Sequence, residues 1–173
     1  MGSPRRTRSY LVRPRQAWVK ERIDEELALI GEFGLRSKTE LYASTSVLRK
    51  MRAAARSYLS LPVEDRASRE KELISRLHKL GLVEENSSLD DVLSLDIRSI
   101  LNRRLQSIVH AKGLAKSLHE ARQLVVHGKI KIRGRVVKTP SRLITRKEEA
   151  EVASTIVPPT AETAESTGNN SQS

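Results

Sequence analysis

Apolar residues between positions 17 and 94 recur at the spacing of amphipathic helices. Ile23, Leu27 and Ile30 stand four and three residues apart, so they predict the buried stripe of a helix that begins at Gln16. Two more helices are predicted from the stripes Leu41, Leu48, Met51, Ala55, Leu59 and Leu73, Ile74, Leu77, Leu80. The pattern therefore indicates a mainly helical N-terminal domain.

Two four-residue segments have the sequence of a helix-starting capping box. In Ser37-Lys38-Thr39-Glu40 and Ser117-Leu118-His119-Glu120, the serine hydroxyl and the glutamate carboxylate can each accept a hydrogen bond from an otherwise unpaired amide. The first segment predicts the start of the second helix. The second predicts the start of a helix over residues 118–127.

The second half of the chain changes from a helical pattern to an alternating one. Helices are predicted over 97–109 and 118–127, and residues 129–133 alternate with the period of two that is typical of a half-buried strand. Gly134 predicts a turn into a return strand, and residues 143–145 are predicted as a short third strand. The expected fold class is α+β, in which a mainly helical domain is followed by a small αα-hairpin and β-hairpin module.

These patterns divide the chain into four segments. They are a basic N-terminal arm (1–16), the helical domain (17–94), the module (95–147) and an acidic tail (148–173). The arm is rich in arginine and proline, and the tail becomes low in complexity, so both termini are predicted to be disordered.

Charge is concentrated in the module. The chain has 173 residues and a net charge of +11, whereas residues 95–147 alone have a net charge of +12 and the tail has −5. Such a localised excess indicates a surface that binds a polyanion. No stretch of about 18 apolar residues predicts a membrane span, and the chain has no cysteine for disulfides or thiolate metal sites. We therefore expect an intracellular protein without a membrane partner or a cofactor.

The polyanion is expected to be folded RNA. Residues 95–147 contain no Phe, Trp or Tyr, so unpaired bases would find no aromatic ring on which to stack. Recognition would depend on shape and on phosphate groups, which arginine binds through two parallel hydrogen bonds. For any single lysine or arginine, the alternative to direct RNA contact is a side chain that is only surrounded by solvent. The candidate RNA-binding residues are Arg5, Arg6, Arg8, Arg98, Arg103, Arg104, Lys112, Lys116, Arg122, Gln123, His127, Lys129, Lys131, Arg133 and Arg135.

Ordered motifs give the module a resemblance to a known family. They are Leu-Asp-Ile-Arg at 95–98, Arg-Arg-Leu-Gln at 103–106, Gly-Leu-Ala-Lys-Ser at 113–117 and Ala-Arg-Gln-Leu-Val-Val-His-Gly-Lys-Ile at 121–130. Residues 95–145 thereby resemble the S-four (S4) RNA-binding domain. Upstream motifs resemble small-subunit ribosomal protein S-four of the archaeal and eukaryotic branch: Ile-Gly-Glu-Phe-Gly-Leu-Arg-Ser-Lys-Thr-Glu-Leu-Tyr at 30–42, Leu-Gly-Leu-Val at 80–83 and Leu-Asp-Asp-Val-Leu at 89–93.

The resemblance implies a structural protein of the small ribosomal subunit that is located on cytoplasmic ribosomes. It implies direct binding to small-subunit ribosomal RNA at a junction of the 5′ domain, an early role in assembly and a contribution to decoding accuracy. Neighbouring small-subunit proteins and messenger RNA, where it enters its channel, would be further partners. Zinc is not expected, because the cysteines that some bacterial members carry are absent.

Two alternatives use the same module. One is an RNA-modifying enzyme such as a pseudouridine synthase, but the 94 residues before the module read as helices without a sheet and are too few for such a catalytic domain. The other is a free RNA chaperone that recycles ribosomes. Neither the four histidines nor the scattered glycines form a metal-binding or nucleotide-binding motif, so we expect no catalytic activity.

Overall fold

The computed structural model describes residues 11, 14–16 and 18–155. This part of the chain forms eight helices and three short strands. The helices are α1 (Lys20–Glu32), α2 (Lys38–Leu59), α3 (Val63–Leu80), α4 (Leu89–Ser94), α5 (Ile97–Asn102), α6 (Leu105–Ala111), α7 (Leu118–Val126) and α8 (Arg146–Ala150). The strands are β1 (Ile130–Ile132), β2 (Arg135–Val136) and β3 (Val152–Ser154). The predicted α+β class is confirmed.

Helices α2 to α5 share one hydrophobic core, as their apolar stripes predict. Leu48 and Ala55 of α2 and Leu77 of α3 are buried together with Leu89 and Val92 of α4. A helix of this amphipathic type gains most of its stability from such packing and not from its intrinsic propensity. The predicted stripes of α2 and α3 therefore face the core.

Helix α1 differs from its prediction in both its start and its buried face. It begins at Lys20 instead of Gln16, because Val19 has extended backbone angles (φ −98°, ψ 114°). Leu27 is 53% exposed, whereas Glu26 is buried. The Glu26 carboxylate binds Lys38 Nζ at 3.0 Å and accepts a hydrogen bond from Tyr42 at 3.1 Å. Ile30 of the predicted stripe still packs against the cluster that contains Phe33 and Leu41, so the buried face of α1 contains Glu26 and its polar partners in place of Leu27.

The single helix predicted over residues 97–109 is broken in two. Arg104 has extended backbone angles (φ −72°, ψ 145°) and forms an isolated β-bridge with Leu143. The amide of Leu105 donates to the carbonyl of Arg142 at 2.8 Å, and the amide of Ile144 donates to the carbonyl of Arg103 at 2.9 Å. Pairing with the distant segment 142–144 thus replaces the helical bonds at the break.

The small sheet has the strand order β2-β1-β3 with antiparallel neighbours. The predicted hairpin of β1 and β2 is confirmed, and both residues of its turn have positive φ angles (52° at Arg133 and 73° at Gly134). This combination is typical of a type I′ turn, which matches the twist of the strands. The hairpin therefore fixes the side of the sheet on which its cations lie.

The predicted third strand at residues 143–145 is wrong, and so is the prediction of disorder from residue 148. The third strand is β3, in which Val152 pairs with Ile132 and is buried against the core of α6, α7 and β1. Helix α8 leads into it and begins with a complete capping box between Thr145 and Glu148. Only residues 156–173 of the predicted disordered tail lie outside the described part, as do residues 1–10, 12 and 13 of the arm.

Candidate RNA-binding surface

Helix α7 presents one polar face to solvent. Ala121 and Val125 anchor its opposite face in the core with no exposed surface. The exposed residues His119, Gln123 and His127 recur every four positions, and Lys116 extends the row before the helix begins. The helix fixes the distance between the members of this row before any RNA binds. The row can therefore contact successive phosphate groups of an RNA strand.

The start of α7 is capped within the protein. The Ser117 hydroxyl accepts a hydrogen bond from the amide of Glu120 at 3.2 Å, as predicted. The Glu120 carboxylate accepts from the amide of Lys116 at 2.7 Å, one residue earlier than the capping box predicts. Because a carboxylate already lies at this helix end, an incoming phosphate would contact the side chains around it and not the bare amides.

The hairpin continues the cationic surface beyond α7. Lys129 and Arg135 are exposed, and no ion pair in the described chain involves either of them, whereas Lys131 is half-buried. The exposed Lys138 follows the return strand, and its side chain lies next to Gly128, where an added Cβ would come within 3.2 Å of it. Lys138 is not among the candidates predicted from the sequence, although Gly128 at the end of α7 marks a close approach of another segment.

Arg104 and Arg122, which the sequence predicts to face RNA, instead form a network with Glu40. Arg104 is 2% exposed, and its Nη2 contacts Glu40 Oε2 at 2.5 Å. Arg122 Nη2 lies 2.6 Å from Glu40 Oε1. The predicted outward orientation of Arg104 is wrong, because the helix break at this residue turns its side chain towards α2.

The same network explains why the first predicted capping box does not form. Ser37 is the N-cap of α2, but its side chain makes no capping hydrogen bond. Glu40, which would complete the box, is held by the two arginines. Burial of the Glu40 carboxylate opposes its ionisation, but the hydrogen bonds from Arg122 and Arg104 outweigh this effect and lower the pKa of Glu40 below its ordinary value of 4.5.

Gln106 joins the network to the loop between α1 and α2. It is 1% exposed, and its amide nitrogen lies within hydrogen-bonding distance of three backbone carbonyls: 3.2 Å from Phe33, 3.0 Å from Gly34 and 3.0 Å from Leu118. Its burial ties the N-terminal helices to the start of α7.

Four other predicted contact residues are engaged by groups of the protein itself. Arg98 pairs with Glu32 at 2.7 Å, and Arg103 pairs with Glu149 at 2.7 Å. Arg133 pairs with Glu151 at 2.6 Å. The fourth, Lys112, is exposed, but its Nζ donates to the carbonyl of residue 152 at 3.3 Å. These ion pairs already neutralise the arginines. An RNA phosphate can bind such an arginine only in competition with the glutamate carboxylate that is its partner.

The predicted residues thus fall into three groups. Arg5, Arg6 and Arg8 lie outside the described residues. Arg98, Arg103, Arg104, Lys112, Arg122 and Arg133 have partners within the protein, and Lys131 is half-buried. The exposed residues for which the described structure shows no side-chain partner are Lys116, Gln123, His127, Lys129 and Arg135.

The described part of the chain contains no candidate for a metal site or for a membrane-spanning helix. No group of three or more histidine and acidic side chains there could hold a metal ion. No helix there is long and apolar enough to cross a membrane.

The paired helices α6 and α7, with the hairpin that follows them, coincide with a known domain family. The S4 domain family matches residues 103–149. This range begins at the break between α5 and α6 and ends within α8, so it includes part of the segment that sequence analysis assigned to the tail. The chain is therefore an S4-domain protein.

The relatives extend beyond this domain. A protein of Ignicoccus hospitalis named small ribosomal subunit protein uS4 is 52% identical over 149 residues, which cover 86% of this chain and 90% of the relative. Proteins of the same name from Hyperthermus butylicus and Sulfurisphaera tokodaii are 48% and 45% identical, each over 86% of this chain and 85% of the relative. The chain belongs to the uS4 family of small ribosomal subunit proteins, as its motifs predict.

Proposed function

We propose that this chain is a structural constituent of the small ribosomal subunit and binds small-subunit ribosomal RNA directly. The observation that carries the proposal is family membership over 86% of the chain, together with the exposed cationic surface of α7 and the hairpin. The relatives are named as ribosomal proteins, which supports a non-enzymatic role on cytoplasmic ribosomes.

The proposed mechanism is phosphate neutralisation by a preformed surface. Lys116, Lys129 and Arg135 bind phosphate groups and release the counterions that surrounded them, while Gln123 and His127 donate or accept hydrogen bonds. The buried residues of α7 and β1 fix the backbone from which these side chains project before RNA arrives, so binding needs little ordering of the module's backbone. Specificity then comes from the shape of the RNA, as expected for a surface without aromatic rings.

Finer features of the role are proposed on the same basis. They are binding at a junction of the 5′ domain, an early step in subunit assembly and a contribution to decoding accuracy. We also propose contacts with neighbouring small-subunit proteins and with messenger RNA where it enters its channel. The basic arm would add Arg5, Arg6 and Arg8 to the RNA contacts.

The proposal is tested by RNA binding over a range of salt concentrations. The variant Lys116→Ala/Lys129→Ala is compared with Lys71→Ala/Lys79→Ala, which removes the same charge from exposed positions on α3. Each phosphate contact contributes about 0.7–0.9 to the slope of log affinity against log salt concentration. With a 5′-domain RNA fragment, loss of two contacts in the first variant should therefore reduce this slope by about 1.4–1.8, and affinity in 0.15 M salt should fall about twentyfold.

The control variant should bind the fragment like the wild type. Equal losses in both variants would show that only total charge matters and would refute the proposed surface. Wild-type binding no tighter to the fragment than to an unrelated RNA duplex would refute the ribosomal role.

The alternative of a free RNA chaperone gives a different result in cell extracts. After a high-salt wash and sedimentation, a structural constituent remains with the small subunits at one copy per subunit. A chaperone is removed by the wash. The enzyme alternative requires uridine isomerisation by the pure protein.

A further inference from the structure

Three consecutive ion pairs connect the end of the described chain to arginines of the module. Glu148 binds Arg142 at 2.6 Å, Glu149 binds Arg103 at 2.7 Å and Glu151 binds Arg133 at 2.6 Å. Every acidic residue between positions 146 and 154 thus holds one arginine. We call residues 146–154 the acidic segment.

The acidic segment is fixed in position on the module. Its strand β3 pairs with β1 along all three residues, and Val152 is buried in the core. Beyond the strand, the amide of Thr155 donates to the carbonyl of Lys129 at 2.8 Å. Because the backbone is held on both sides, the carboxylates stay beside their arginines instead of sampling solvent as they would on a free tail.

The three pairs are not equally accessible. The side chains of Arg133 and Glu151 are 58% and 44% exposed, so RNA can reach this pair. The Arg142 side chain is 44% exposed, but that of Arg103 is only 15% exposed and also donates to the carbonyl of Ile144. The Arg133 pair is therefore the one at which a phosphate and a carboxylate compete most directly for the same guanidinium.

We propose that the acidic segment is a built-in competitor of RNA phosphate, and that Glu151 in particular limits the contribution of Arg133 to RNA binding. This inference rests on the proposed function and concerns which cations of the module contribute to RNA affinity. Glu151 occupies Nε of Arg133 at 2.6 Å. A phosphate that binds this guanidinium through two parallel hydrogen bonds, one of them from Nε, must displace Glu151, which then lies as a free negative charge beside the RNA. Because one negative partner of Arg133 replaces another, the phosphate gains little net neutralisation and few counterions are released. Arg133 therefore adds little to the binding of any RNA. Discrimination is left to Lys116, Lys129 and Arg135, whose side chains form no ion pair within the described part of the chain.

The test is the variant Glu151→Gln, which frees Arg133 without shortening the side chain. Its salt slope should become steeper by about 0.7–0.9, and affinity in 0.15 M salt should rise about fourfold to fivefold. The gain should be the same for the 5′-domain fragment and for an unrelated RNA duplex. The preference for the fragment, expressed as a ratio of affinities, should therefore stay constant.

The matched control is Glu72→Gln. It makes the same change in charge and frees Arg76 from an exposed pair of 2.9 Å on α3, outside the S4 domain. The slope of this variant should equal that of the wild type. A slope for Glu151→Gln no steeper than the control would overturn the inference. Circular dichroism and the midpoint of thermal unfolding check that both variants are folded.

A second comparison decides whether Glu151 acts through Arg133. In an Arg133→Ala background, the additional change Glu151→Gln should give no increase in slope, because no guanidinium is released. An undiminished gain would mean that Glu151 repels RNA by its charge alone, and the proposed competition would be wrong.

The slopes on the unrelated duplex decide this inference even if the protein shows no preference for ribosomal RNA. Loss of that preference would refute the proposed function alone.

Discussion

Glu40 is the residue whose replacement should reveal most about how the helical domain and the S4 domain are joined. It lies in the first turn of α2, and its two partners, Arg104 and Arg122, are 64 and 82 residues further along the chain. In the variant Glu40→Gln the side chain keeps its shape but loses its charge. Both guanidinium groups would then remain without a counterion.

The expected cost follows from the exposure of the three side chains. Breaking a fully buried ion pair costs about 3–5 kcal/mol, because a charge is left in a medium of low polarity. The Arg104 side chain is 3% exposed, but those of Glu40 and Arg122 are 21% and 20% exposed. Partial access to water reduces the cost, so we expect a decrease of about 2–4 kcal/mol in the free energy of unfolding.

The measurement is equilibrium unfolding in urea, followed by circular dichroism. With a slope of about 2 kcal/mol per molar urea, the middle of the usual range, the midpoint should fall by about 1–2 M. The control is Glu72→Gln, which removes an ion pair whose side chains are 68% and 70% exposed. Exposed pairs of this kind contribute about 0–1 kcal/mol, so the control should unfold close to the wild type.

The pH dependence gives an independent check. The pKa of Glu40 is lower in the folded protein than its ordinary value of 4.5. Its contribution to stability is therefore fully present above that value and is lost as the pH falls through the lower, folded pKa. The difference between wild type and Glu40→Gln should be constant near neutral pH and should decrease in acid.

A second substitution distinguishes a buried charge from a general loss of packing. Adding Arg104→Met to Glu40→Gln removes the guanidinium that has lost its partner, so about 1 kcal/mol or more should be recovered. The account of this network is refuted if Glu40→Gln costs no more than the control, or if the double variant is less stable than Glu40→Gln.

Two further predictions concern the backbone. Gly34→Ala should lower the free energy of unfolding in urea by at least about 1 kcal/mol more than Gly113→Ala. Both glycines have positive φ angles, but only a Cβ at Gly34 meets a fixed group, the Gln106 amide nitrogen at 3.1 Å, so equal costs would contradict this prediction. Truncation after Thr155 should leave the thermal midpoint unchanged, whereas truncation after Thr145 should lower it markedly, because β3 is removed from the edge of β1; equal midpoints would show that β3 adds no stability.

Sequence alone was sufficient where structure depends on neighbouring residues. The stripes of α2 and α3 are periodic over several turns, and burying them against any apolar surface is favourable, so their prediction did not require knowledge of the partner. The hairpin at Gly134 is equally local, since strand alternation and a turn residue stand side by side. The family could be recognised for the same reason, because its motifs are short and ordered along the chain.

The candidate site was only partly readable in this way. Exposure of Lys116, Lys129 and Arg135 followed from the polar faces of local elements. The sequence could not distinguish these residues from Arg103 or Arg133. An arginine that binds RNA and one that pairs with a carboxylate of the same protein occupy the same kind of polar position in the local sequence. The choice depends on the acidic segment, which lies 46 residues beyond Arg103 at Glu149 and 18 beyond Arg133 at Glu151.

Tertiary structure decided the break between α5 and α6, the burial of Arg104 and the position of the third strand. The apolar period continues through residues 97–109, but pairing with segment 142–144 provides hydrogen bonds that compensate for the lost helical ones. Strand β3 is only three residues long and has no alternation to reveal it. The strand is stabilised by hydrogen bonds to the open edge of β1 and by the packing of Val152 in the core, and both of these partners exist only after the rest of the module has folded.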